Sequence, residues 1–240
     1  MTVPIVNCGD ASLEAMEKLT AAVHALPAYV QKGLEDHGFQ VVLGRFLSST
    51  DPELKEYDES PACTNPAIKR IICGEFFYGG PPRGEVPSII ADSLTHEAGH
   101  FVDLFLVGTG EYLDGYSSMR ELFKAAARED TKRLIESDYK QVRDAAVIRY
   151  GHAERMLAHF KRSFIDYADR DCEIYAEIFA NIQGTGASMD YQIQPFFPLC
   201  AAIVQADINR LDSSTTQERT SMTFRRLKSH RVRKCSIGSP

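Results

Sequence analysis

A chain of 240 residues, 44% hydrophobic and 25% charged, has the composition of a globular domain with enough apolar content for a sizeable core, which excludes a disordered binding segment as the main reading. The N-terminal stretch MTVPIVNCGD lacks the basic start and long apolar segment of a secretory signal, and no run of about 18 apolar residues occurs, so the expectation is a soluble monomer with no integral membrane association. Lys plus Arg number 27 against 33 Asp plus Glu, and 7 of the basic residues lie in 219–240 with no acidic one, leaving 20 against 33 in residues 1–218. The body therefore lacks the basic stripe that neutralises phosphates, and no nucleic-acid partner is expected.

Residues 11–36 read as helix interrupted near Pro27, with Leu13, Met16, Leu19, Ala22, Val23 and Leu26 at helical spacing, then Tyr29, Val30 and Leu34. Gly38 to Leu47 is rich in β-branched and aromatic residues and reads as a strand. Ser49 to Pro66 loses periodicity and reads as a long surface loop. Ile68 to Gly80 gives a further strand and turn, and the prolines of Pro81 to Ser88 mark an extended loop. A helix is expected from Ile89 through Phe105, and helix-compatible sequence from Ser118 to Asp166 with a break near Gly151. Another amphipathic helix falls within Asp166 to Ile182, and a last one spans Leu199 to Leu211. The fold class is thus α+β: a small sheet, an active-site helix and a mostly helical C-terminal half. One domain is expected over 1–212, with a helical insertion at about 118–160 and a basic, mobile tail over 213–240. Six cysteines, Cys8, Cys63, Cys73, Cys172, Cys200 and Cys235, form no CxxC pair and are expected as free thiols of a reducing compartment.

The helix ADSLTHEAGHFVD carries the chemistry. His96 and His100 are four apart and so share one helix face, where two imidazoles can converge on one tetrahedral Zn2+ ion. Glu97 lies about 100° around the helix from His96, within reach of a water without having to be a ligand. An HExxH helix can equally be a polar surface that binds nothing, but Ile89, Ile90, Leu94, Phe101, Val102 and Phe105 give this one apolar faces to bury. A catalytic zinc needs a third protein ligand, and the strongest region for it is RDCEIYAEIFA, where Glu173 and Glu177 are four apart on one face. One can bind zinc while the other orients a ligating histidine. An ordinary solvated helix face is the alternative, against which stand the apolar or small neighbours Cys172, Ile174, Tyr175, Ala176, Ile178, Phe179 and Ala180.

The pair LTHEAGHFVD and EIYAEIF resembles the signature of the lethal-factor-like zinc metalloendopeptidases, a gluzincin-like group that includes the anthrax lethal factor catalytic domain and the secreted Pro-Pro endopeptidases. The resemblance implies a zincin-like fold with His96, His100 and Glu173 as zinc ligands, Glu97 as general base, Glu177 behind the ligands and Asp103 as support for the active-site helix. It also implies a tyrosine ahead of the third ligand as oxyanion donor: Tyr167, six residues before Glu173, with Tyr175 as the weaker candidate. The resemblance covers mainly residues 89–106 and 166–181, and the 73 residues from His100 to Glu173 exceed the spacing of compact members.

The expected function is zinc-dependent hydrolysis of a protein or peptide substrate by metal-activated water. The resemblance implies a bacterial effector or toxin exported by a specialised system and acting on a host cytosolic protein. The alternatives are a zinc amidase acting on a small or cell-wall peptide, and a non-catalytic interaction protein stabilised by a metal. The strand from Ile68 to Tyr78 is the candidate to align an extended peptide by backbone pairing.

Overall fold

The computed structural model describes residues 3–77, 90–109, 112–113, 117–118, 120–136, 171–183, 194 and 196–215. Four strands form the principal sheet: β1 (Ile5–Asn7), β2 (Gln40–Gly44), β3 (Ala62–Asn65) and β4 (Arg70–Gly74), in the order β1-β2-β4-β3. β1, β2 and β4 run parallel, and β3 is antiparallel to β4.

The strand expected over Gly38 to Leu47 is β2, and that expected from Ile68 is β4. The surface loop expected over Ser49 to Pro66 is corrected. It holds a short helix α3 (Leu47–Thr50), a 3-10 turn over Pro52–Tyr57, and the edge strand β3. β3 has only four residues, too few for alternation to register, and its backbone partners come from β4, as Thr64 pairs with Ile71 and Ala62 with Cys73. Asn65 closes the turn between them, its side-chain oxygen accepting from the amides of Ala67 and Ile68 at 3.2 and 3.4 Å.

Two helices precede β2. α1 (Leu13–Ala25) is capped by Ser12, whose hydroxyl accepts from the Ala15 amide at 3.2 Å. The Ser12 amide in turn donates to the buried Glu75 carboxylate at 2.8 Å, tying the helix start to the end of β4. Pro27 separates α1 from α2 (Ala28–Asp36), and the chain leaves α2 through Gly38 at φ +72°, a left-handed conformation that a side chain would strain.

α4 (Ile90–Phe101) is the helix expected from Ile89, and it continues as wider π-helical turns over Val102–Val107. Its Ile90, Leu94, Ala98 and Phe101 join Leu19 and Val23 of α1 and Val41, Leu43, Ile71 and Cys73 of the sheet in one buried core. β2 and β4 are buried on both faces, and α3 packs on their far side. A two-stranded ribbon, β5 (Tyr112–Leu113) with β6 (Ser117–Ser118), leads to α5 (Glu121–Glu136). α6 (Asp171–Gln183) packs against α4, and residues 198–215 form a final helix, α7.

α7 extends past the boundary expected near Asp212, and there the hydroxyls of Ser213, Ser214 and Thr215 each donate to a carbonyl four residues back. Most of the stretch expected as a helical insertion, and all of 216–240, lie outside the described residues. Within that stretch α5 belongs to the core: Phe123 is fully buried and meets the Tyr175 ring edge-on at 5.3 Å. Among the described residues no helix is long and apolar enough to cross a membrane, and Cys8, Cys63, Cys73, Cys172 and Cys200 are free thiols.

Candidate metal centre

The apolar face of α4 enters the core, which turns His96, Glu97 and His100 toward α6 and β3. Close approach of the two helices depends on Gly99. A Cβ there would stand 2.6 Å from the Ala176 Cα and 3.0 Å from its carbonyl oxygen, so any side chain would force α6 away. With this pair in contact, Glu173 and Glu177, one turn apart on α6, both reach the histidines.

His96 Nε2 lies 3.2 Å from Glu173 Oε2, and His100 Nε2 lies 3.6 Å from the same oxygen. Two ligands of a tetrahedral zinc at its usual nitrogen and oxygen distances stand about 3.3 Å apart. The two observed separations bracket that value, so Glu173 stands at a ligand-like distance from each imidazole. The other ring nitrogen of His96, Nδ1, is 3.1 Å from Glu177 Oε2, so each ring nitrogen faces a carboxylate. Glu177 is almost wholly buried, and its second oxygen lies 3.5 Å from the Asn181 amide nitrogen.

The electrostatics suit a cation. Burial opposes charge on His96, but Glu173 and Glu177 on its two nitrogens, with the charge of Glu97, lift it to about 10. Burial likewise opposes charge on Glu173, and His100 and His96 override it, holding that carboxylate well below its ordinary range. A proton is thus held where a metal would sit.

Ligand-capable atoms of His96, Glu97 and His100 lie within 4.8 Å of one another, as do those of His100, Cys172 and Glu173. Cys172 was expected only as an apolar neighbour. Burial, then Glu173, Asp171 and Asp103, keep its thiol protonated, so the carboxylate of Glu173 is the better ligand beside it. Cys63, also near Glu97, is pushed up to about 12 by burial and by the Glu97 and Asp51 charges, which disfavours a thiolate nucleophile there.

Glu97 is buried, and its Oε2 accepts from the Thr64 hydroxyl of β3 at 2.7 Å. Asp103 is buried one turn beyond His100, with one oxygen 3.5 Å from Arg120 Nη1 and the other without a hydrogen-bond partner among the described residues. Burial raises its pKa to about 6 against the opposing charges of Arg120 and His100. Arg120 also pairs with Asp207 of α7 at 2.8 Å and stacks over the Tyr175 ring at 5.6 Å. The Tyr175 hydroxyl donates to Asp207 at 3.3 Å, and the residue is fully buried. Tyr167 lies outside the described residues.

The sequence reading missed Thr64, Arg120 and Asp207. Arg120 and Asp207 are 87 residues apart and carry no local pattern, while Thr64 lies in the stretch read as loop. The strand expected to pair with a peptide is also corrected: β4 is flanked by β2 and β3, so both of its backbone edges are occupied, and among the described residues the free edge on that side belongs to β3.

No family model matches the sequence, and no curated protein matches it. Among solved structures the chain is similar to the Pro-Pro endopeptidase PPEP-2 from Paenibacillus alvei, with 14% identity and a TM-score of 0.47, over 85% of this chain and 95% of that one. The HExxH helix gathers His96, Glu97 and His100 into a cluster consistent with a Zn2+ site, the arrangement of a zinc metallopeptidase.

Proposed function

We propose that the chain is a zinc-dependent endopeptidase of the lethal-factor-like kind, in which His96, His100 and Glu173 hold one zinc ion and Glu97 is the general base. The reading is carried by the convergence of His96 Nε2, His100 Nε2 and Glu173 Oε2, with Glu97 beside them and bonded to Thr64. Bound zinc supplies a Lewis acid that acidifies water and polarises the scissile carbonyl. Glu97 takes the proton of the attacking water and passes it to the leaving amine. Glu177 keeps His96 in its ligating tautomer. Asp103 anchors the end of the active-site helix through Arg120, and Tyr167 is the candidate donor to the developing oxyanion.

Three residues bind and Glu97 does not need to, which leaves room for water and substrate and favours a catalytic over a structural metal. An extended peptide is accommodated along the free edge of β3, whose Thr64 already touches Glu97. Free thiols at all five described cysteines fit action in a reducing compartment, and with the sequence resemblance they support a protein substrate inside a host cell. Residues 1–212 are read as the catalytic unit. A proteome-derived peptide library digested with wild-type protein and with Glu97→Gln, each analysed by mass spectrometry, tests the reading. Internal cleavages that need zinc and vanish in the variant are expected; identical cleavage by both proteins would overturn it.

A further inference from the structure

The Thr64 hydroxyl lies 2.7 Å from Glu97 Oε2 and 3.0 Å from the backbone oxygen of the same residue. A hydroxyl has one proton to donate and two lone pairs to accept with. It therefore touches both ends of one glutamate, main chain and carboxylate, from a strand that is not part of the glutamate's helix. Thr64 pairs with Ile71 in the β3–β4 register, so its position is fixed by the sheet, whose core face packs under α4. Other polar clusters of the described residues serve the fold: Asp58 accepts from the Ser48 amide and hydroxyl, and Asp130 receives two amides at the start of α7.

We infer that Thr64 is the positioning residue of the general base, an inference that rests on the endopeptidase reading above. A glutamate has three rotatable side-chain bonds, and a buried carboxylate that wanders loses alignment with the water it must deprotonate. The Thr64 bond pins Oε2 and so selects one rotamer of Glu97, leaving the other oxygen for the water. When Glu97 has taken the water proton on its other oxygen, Oε2 is left as a carbonyl oxygen that still accepts from the Thr64 hydroxyl. No proton is gained or lost by Thr64. The bond therefore survives both halves of the proton relay.

The test uses full-length Thr64→Val, which keeps the branched shape and removes the hydroxyl, and Thr64→Ser, which keeps the hydroxyl. With the peptide best cleaved in the library screen, Thr64→Val is expected to lower kcat about tenfold while KM and zinc content stay near wild type. Thr64→Ser should recover most of that loss. A second readout does not depend on turnover. In protein carrying 13C at glutamate carboxyl carbons, the Glu97 resonance, assigned by its loss in Glu97→Gln, should move in Thr64→Val and return in Thr64→Ser. An unmoved resonance, or a wild-type kcat in Thr64→Val, overturns the inference. So does a Ser variant no better than Val. If wild type and Glu97→Gln cleave alike, or wild type cleaves nothing, the endopeptidase reading falls instead, and the Glu97 resonance still decides whether Thr64 holds the carboxylate.

Discussion

Glu97 and Glu177 are both buried glutamates beside His96, and their surroundings divide the work between them. Glu97 accepts a bond from a neutral hydroxyl and faces the space bounded by the two imidazoles, whereas Glu177 is spent on His96 Nδ1. Changing Glu97 to Gln keeps the volume and the Thr64 contact but removes the proposed base, so peptide turnover should fall by about two to four orders of magnitude with zinc content preserved. Metal analysis alongside steady-state kinetics measures both. Changing Glu177 to Gln should act in the opposite order. Zinc affinity, read by competition with a chelator, should weaken about tenfold to a hundredfold, because an amide no longer charges and fixes the imidazole behind the ligand. Loss of turnover should then be recovered at high zinc.

At the scale of elements, the site is a product of how α4 and α6 meet. Gly99 over the Ala176 backbone brings the helices close enough for one carboxylate oxygen to reach both imidazoles. The clash of Gly99→Ala is with main chain, so trimming a side chain on α6 cannot relieve it. The variant should lose about 1–3 kcal/mol of stability and weaken zinc binding together with it, as thermal unfolding with and without zinc would show. α7 is held differently. The fully buried Asp130 of α5 accepts from the Leu199 and Cys200 amides at 2.9 and 3.0 Å, a cap supplied from another helix. Asp130→Ala leaves those amides unpaired and should cost about 1–3 kcal/mol in denaturant unfolding, while the peptide kcat of the folded protein stays unchanged.

For the whole molecule, the proposed ligand set His96, His100 and Glu173 links zinc to folding, since binding to the folded chain alone stabilises it. In the metal-free protein His96 is raised from 6.5 to about 10, so its charged form contributes stability that is fully present below about 6.5 and lost as pH rises through about 10. Zinc needs the neutral ring and displaces that proton. The rise in melting temperature on adding zinc should therefore grow from pH 6.5 toward pH 10, and calorimetry in buffers of differing ionisation enthalpy should register proton release on binding. A melting temperature shift independent of pH would show that His96 is already neutral without the metal.

The sequence by itself determined the parts of this protein that depend on local spacing. Helical periodicity placed α1, α2 and α4 and the helix that bears Glu173. The four-residue interval put His96 with His100 on one face, and Glu173 with Glu177 on another. Consecutive β-branched residues marked β2 and β4, which are buried on both faces and so read as apolar runs. What only the tertiary structure decided are contacts between segments far apart in the chain. β3 is four residues long and owes its existence to backbone bonds with β4, so neither it nor Thr64 could be recognised from composition. Arg120 joins Asp103 to Asp207 across 104 residues of sequence, and Gly99 needs Ala176 beneath it before its small size has meaning. Residue types at helical intervals name the candidate ligands, because a helix fixes its own geometry. The distance between two helices, and the strand whose Thr64 reaches Glu97, are set by packing, which no interval along one segment encodes.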